Sequence, residues 1–248
     1  MPRYFLETAY MGTNYSGFQV QHNANTIQAE ITRALRVFFN EQFSLTGSSR
    51  TDAGVHALQN FFHFDSNIEV SASHLYNLNA LLPYDIVLKK ISRVNADAHC
   101  RFDAVERTYR YYITRLKNPF LHGRAYYYPY QLNFENLNRF ADVVTRFKDF
   151  TSFSKKKTQV NHFICNVKSS SWRIHDDQWY YEIKADRFLR GMVKGLVGTM
   201  LQLAKKNAGI EELEKIFASN DCTTADFSAP SHGLFLTEIK FKTDIVLE

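Results

Sequence analysis

The sequence predicts an α+β fold divided into two halves, and three observations lead there. Short runs rich in Phe, Tyr, Val and Ile alternate in polarity as half-buried strands do. Between them lie stretches whose apolar residues recur at helical spacing. In the first hundred or so residues the order is strand, helix, strand, strand, helix, strand. That order matches the split βαβ, ferredoxin-like plan, an antiparallel sheet with its helices on one face.

The elements follow in chain order. Residues 3–10 (RYFLETAY) alternate and predict a strand. The segment after it holds Gly12, Asn14 and Gly17 and reads as a loop. A helix is expected over 26–39, because Ile27, Ile31, Ala34, Leu35 and Phe38 share one face and Thr26 is a good cap. A short strand at 43–47 leads into the loop GSSRTDAGVHA, and a second strand is expected at 59–65. A helix over 71–81 stops before Pro83, and a strand at 85–92 completes the half.

The second half begins near residue 100. RTYRYYIT at 107–114 predicts a strand with Arg107, Tyr109, Tyr111 and Ile113 on one face and Thr108, Arg110, Tyr112 and Thr114 on the other. A helix at 133–147, strands at 162–174 and 178–186 joined by an HDDQ turn, and helices at 187–206 and 210–218 come next. A final strand is expected at 234–242. No sequence repeat relates the halves. The predicted division is 1–100 and 101–248.

Composition narrows the class. Hydrophobic residues make up 45% and charged residues 22%, as in an ordinary soluble domain. The 21 Phe and 14 Tyr predict an aromatic core, with some exposed Tyr free to stack on bases. A net charge of +5 permits a polyanionic partner without requiring one. Cys100, Cys165 and Cys222 are odd in number and fit no metal-ligand spacing, which predicts reduced thiols in a cytoplasmic protein. The N-terminus reads as a strand rather than a signal peptide, and no apolar run approaches the roughly 18 residues of a membrane span.

Three segments can carry chemistry. In the loop at 47–57, Arg50 stands two residues before Asp52 and His56 four after it. Asp-x-Gly between strands is commonly a plain turn, but this loop is longer than a hairpin needs and mounts a carboxylate among potential cations. The Tyr-rich strand at 107–114 is open to two readings, cross-strand packing or stacking on a nucleobase. At 187–198, Phe188, Leu189, Met192, Val193, Leu196 and Val197 form a broad apolar face at about 100° per residue. Arg190 and Lys194 would lie at its edge one turn apart. Gly191, Gly195 and Gly198 gather on the remaining face and predict close approach of another backbone.

On these residues the sequence resembles the TruA family of tRNA pseudouridine synthases. RTDAGVHA at 50–57 is similar to the family's signature loop. YSGFQ at 15–19, TIQAEI at 26–31, FHFD at 62–65, NALLPYDI at 79–86, RFDAVERTYRYYI at 101–113, DFTSF at 149–153, IKADRFLRGMVKGLVG at 183–198 and SAPSHGLFL at 228–236 support it in order. The resemblance implies a pseudouridine synthase fold: two ferredoxin-like/RRM-like halves with antiparallel sheets, joined around a central basic active-site cleft.

The resemblance also implies roles. Asp52 falls on the catalytic aspartate, Lys194 on the basic residue that pairs with it, Tyr109 on the tyrosine that stacks on the target uracil, and Arg50 on the arginine that displaces the base. Arg190 is expected to assist in substrate binding. Two departures stand out. Ser48 and Ser49 precede Arg50 where the family has small residues and Gly, and Lys194 stands where it usually has Arg. Lysine keeps the charge and loses the planar fork.

The implied reaction isomerises uridine to pseudouridine: the C1′–N1 bond breaks, the uracil turns over, and C5 bonds to C1′. Neither redox chemistry nor energy input is needed, and no cofactor is expected, since the sequence has no P-loop, GxGxxG or His/Cys cluster. Three roles are open to Asp52: attack on C1′, attack on C6, or removal of a sugar proton. The implied partner is the anticodon stem-loop of tRNA, at positions 38 to 40, bound by a homodimer. Phosphate contacts are expected from Arg50, Arg101, Arg107, Arg110, Lys155, Lys156 and Lys157, the lysine run being equally readable as a solvated loop. Two competing readings are a nucleoside glycosidase, which would release free uracil and needs a second carboxylate, and a non-catalytic RNA-binding or RNA-folding module on the same scaffold.

Overall fold

The computed structural model describes residues 1–156, 160–175 and 178–242. Lys157 and the centre of the expected HDDQ turn lie outside the described residues. The protein is a mixed α+β chain, and it falls into two compact units, 1–106 with the C-terminal stretch from Leu236, and Arg107–Phe235.

In the first unit, β1 (Arg3–Tyr10) forms where the alternation predicts it. It pairs antiparallel with β3 (His56–Asp65) on one side and β4 (Ile86–Val94) on the other. β2 is reduced to Thr46–Gly47, which pairs with His63 and Phe62 of β3. Strand order in this unit is β4-β1-β3-β9, where β9 is Leu234–Phe241. Period-two alternation sorts the side chains. Tyr4, Leu6, Phe62 and Phe64 are buried on one face, with Tyr4 stacked on Phe64 and Phe18 stacked on Phe62 at 4.5 Å. Phe5, Val94, Ala98 and Cys100 form a smaller buried cluster, against which Phe61 and Phe241 pack.

α1 (Ile27–Phe39) buries Ile27, Ile31, Ala34 and Leu35, the expected stripe. It starts because Thr26 is extended and its hydroxyl accepts the Ala29 amide, and it ends where Asn40 turns left-handed. The expected helix at 71–81 is a 3-10 turn, Ala72–His74, that runs into α2 (Leu75–Ala80).

In the second unit, β5 (Ala104–Thr114), β8 (Gln178–Ala185) and β7 (Val167–His175) pair antiparallel in that order. A short β6 (Tyr126–Tyr127) pairs parallel with the end of β5. Tyr111, Tyr181, Ile183 and Trp172 are buried on one face. α3 (Phe134–Arg146) packs on β7, and its Asn138 Oδ1 accepts the Trp172 amide at 2.9 Å.

α4 (Met192–Lys205) is buried on nearly every side, which explains a helix that is apolar all round. α5 (Ile210–Ser219) packs beside it. The expected approach of another backbone to the glycine face occurs at Gly198, where an added Cβ would lie 2.3 Å from the Asp226 carbonyl oxygen. The DFTSF segment serves this core: Phe150 and Phe153 are fully buried and meet Phe217 of α5.

One element is corrected. The expected helix over 187–206 begins only at Met192. Gly191 has φ 75, a left-handed conformation that an α-helix does not continue through. Residues 187–191 are therefore irregular, and Arg190 does not sit one helical turn before Lys194.

Candidate active site

Asp52 is half-exposed, in a loop whose neighbours are anchored from three directions. Thr51, just before it, is buried; its hydroxyl lies 2.8 Å from the Tyr10 hydroxyl at the end of β1, and its carbonyl accepts the Phe18 amide at 3.1 Å. Asn60 of β3 is fully buried and donates to both the Tyr10 hydroxyl and the Ser49 carbonyl. After Asp52 the chain reverses in a tight turn, in which the Val55 amide donates to the Asp52 carbonyl and Gly54 supplies the positive φ. The YSGFQ and RTDAGVHA segments thus brace one another through Phe18 and Thr51.

His56, at the start of β3, is fully buried, and its Nδ1 accepts the Gly12 amide at 3.0 Å. The imidazole that follows Asp52 in sequence therefore pins the loop at 12–14 to the strand, with its neutral ring protonated on Nε2. Ser48 and Ser49 are both buried. Arg50, between these buried residues and Thr51, is exposed.

In the second unit, Tyr109 is buried on β5 opposite Ile183, its ring edge-on to Phe188 at 4.8 Å. The irregular stretch before α4 is what delivers Phe188 there. Its backbone is held at both ends: Asp186 Oδ1 accepts the Arg187 and Asn166 amides, and the Lys155 amide donates to the Arg190 carbonyl. Arg190 is exposed. Lys194, in the first turn of α4, is half-buried, and its Nζ donates to Ser231 Oγ at 3.1 Å. Beside Ser231, His232 is pushed below its ordinary value, chiefly by burial and then by the charges of His122 and Lys194, against a backbone hydrogen bond with Ala125.

The structure therefore places Arg50 and Asp52 in one loop of the first unit, and Tyr109, Arg190 and Lys194 in the second. Several expected phosphate-binding cations have intramolecular duties. Arg110 Nε donates to Glu182 at 2.7 Å, a buried carboxylate that also faces Arg173 and Lys184. Arg107 donates to the Asp186 carbonyl. The stem of Lys155 covers Gly191. Arg101 lies over the exposed Phe102 ring at 5.7 Å. Sequence reasoning missed Tyr10, Asn60 and Ser231, because their partners are distant in the chain. Ser231 lies within the SAPSHGLFL segment, which gave it no role of its own.

Comparison with known proteins shows the family. A family model described as tRNA pseudouridine synthase matches residues 8–103 and 147–242, one match falling largely in each unit. The chain is 39% identical to the tRNA pseudouridine synthase A of Porphyromonas gingivalis, over 100% of both chains. It is 40% identical to that of Bacteroides fragilis, over 98% of each chain. The protein of the same name in Staphylococcus aureus is 34% identical, over 96% of this chain and 90% of its own. With a match of this extent, the chain belongs to the tRNA pseudouridine synthase family.

Proposed function

We infer that this protein isomerises uridine to pseudouridine in tRNA. The observation that carries the reading is the end-to-end likeness to proteins named tRNA pseudouridine synthase A, at 39–40% identity. The braced loop around Asp52 supports it, since a reactive carboxylate works best on a support that does not move.

In this reading Asp52 is the catalytic carboxylate and Lys194 the basic residue that pairs with it. The target nucleotide leaves the stem, because its glycosidic bond is out of reach while stacked. Tyr109 holds the everted uracil by its π-face, Arg50 fills the vacated space, and Arg190 contacts the RNA. The carboxylate assists departure of N1 from C1′, the base rotates, C5 bonds to C1′, and the C5 proton is lost as N1 gains one. One proton leaves C5 and one is gained at N1, so product and substrate have the same composition and the chain needs no co-reactant.

The finer reading extends to architecture and target. The halves 1–100 and 101–248 are proposed as ferredoxin-like, the first carrying the aspartate loop and the second the tyrosine strand and basic helix, with a basic cleft receiving RNA. The strand order β4-β1-β3 with β2 on β3 supports this for the first half. The proposed target is the anticodon stem-loop at positions 38 to 40, bound by a cytoplasmic homodimer. Tritium release from tRNA labelled at uracil C5 tests the reaction. Mapping pseudouridine in tRNA from cells lacking the protein tests the positions, and unchanged modification at 38 to 40 would exclude that target.

A further inference from the structure

We propose that Ser231 is a positioning residue that fixes the ammonium of Lys194. The proposal rests on the reading of Lys194 as the active-site cation.

The need arises from side-chain chemistry. A guanidinium carries its donors in a rigid planar fork and holds a carboxylate by two parallel bonds. An ammonium is a point charge on a four-carbon stem with a freely rotating head. It requires an added contact to define its position. Lys194 has one: its Nζ donates to Ser231 Oγ at 3.1 Å.

The hydroxyl is itself well placed. Ser231 opens the 3-10 turn Ser231–Gly233, immediately after Pro230, whose φ is −66°. The Pro230 carbonyl accepts the Tyr111 hydroxyl at 2.8 Å. Tyr111 is fully buried and lies two residues from Tyr109 on β5. A chain of contacts thus runs from the strand that carries Tyr109, through Tyr111 and Pro230, to Ser231 and the ammonium on α4. It gives the cation and the tyrosine a common reference. His232, the next residue of the turn, is held below its ordinary value, chiefly by burial.

The test compares Ser231→Ala, Ser231→Thr, Lys194→Arg and the Ser231→Ala/Lys194→Arg double variant in the full chain, by tritium release from C5-labelled tRNA. Ser231→Ala is expected to lower kcat about tenfold, as for one lost charge-assisted hydrogen bond. KM, tRNA affinity and Tm should stay near wild type. Ser231→Thr, which keeps the hydroxyl, restores most of the rate. In the Lys194→Arg background the serine deletion costs less than about twofold, because the guanidinium defines its own geometry. A purely structural serine would cost the same in both backgrounds and would lower Tm. That result, an unaltered kcat in Ser231→Ala, or failure of Thr to rescue would overturn the proposal alone. A wild-type chain that releases no tritium would overturn the functional reading beneath it.

Discussion

The side-chain amide of Asn60 holds both backbone polar groups of Ser49, its Oδ1 accepting the Ser49 amide at 3.3 Å and its Nδ2 donating to the Ser49 carbonyl at 2.8 Å. One side chain on β3 thereby supplies the pair of bonds that a neighbouring strand would supply. It does so three residues before Asp52, and the same amide group also reaches the Tyr10 hydroxyl.

Truncating this side chain leaves buried polar groups unpaired. Asn60→Ala is expected to cost about 3 kcal/mol, since each orphaned buried group costs roughly 1–3 kcal/mol. The folded fraction should turn over more than about tenfold more slowly, because the loop that carries Asp52 loses its brace. Urea denaturation and tritium release measure the two effects. A loss below about 1 kcal/mol would show that water replaces the amide without penalty.

Gly198→Ala sets two effects against each other. Helix propensity favours alanine by about 1 kcal/mol. The new methyl would lie 2.3 Å from the Asp226 carbonyl oxygen, a backbone atom that cannot rotate away. Overpacking of this kind costs roughly 1–3 kcal/mol, so the variant should be less stable by about 1 kcal/mol. Denaturant midpoints decide between these effects. A stabilised variant would mean that the segment at 226–227 shifts freely.

Acid should destabilise the first unit through His63. Its ring is buried, with Nδ1 3.2 Å from Cys100 Sγ. Burial, then the charges of His99 and Arg3, push it down to about 4 against the opposing influence of Asp65. An unfolded histidine titrates near 6.5. Between these values the unfolded chain binds the extra proton, so the stability present above about pH 6.5 is lost as pH falls toward 4. The loss is on the order of 3 kcal/mol. His63→Gln should flatten this slope between pH 7 and pH 4.5 in urea titrations, and an unchanged slope would assign the acid sensitivity elsewhere.

Much of the fold was legible because local patterns carried it. β1 alternates cleanly, and α1 presents both its stripe and its Thr26 cap. The start of α4 was not legible, because the apolar spacing of Phe188 and Leu189 continues the helical period while Gly191 breaks the geometry. β3 begins at His56 rather than 59 because its first residues read as loop. At the site, the Asp52 loop stood out by its motif. The groups that hold it, Tyr10 and Asn60, come from two strands and are ordinary strand residues in one dimension. Arg110 looked like a ligand for phosphate, and its partner Glu182 lies across the strand pair, 72 residues away.

Whether the carboxylate of Asp52 performs the chemistry is read from single-turnover tritium release by Asp52→Ala on C5-labelled tRNA. Release at background level is expected, with tRNA bound within a few-fold of wild-type affinity. Release at a rate approaching wild type would contradict it and move the reaction to another residue.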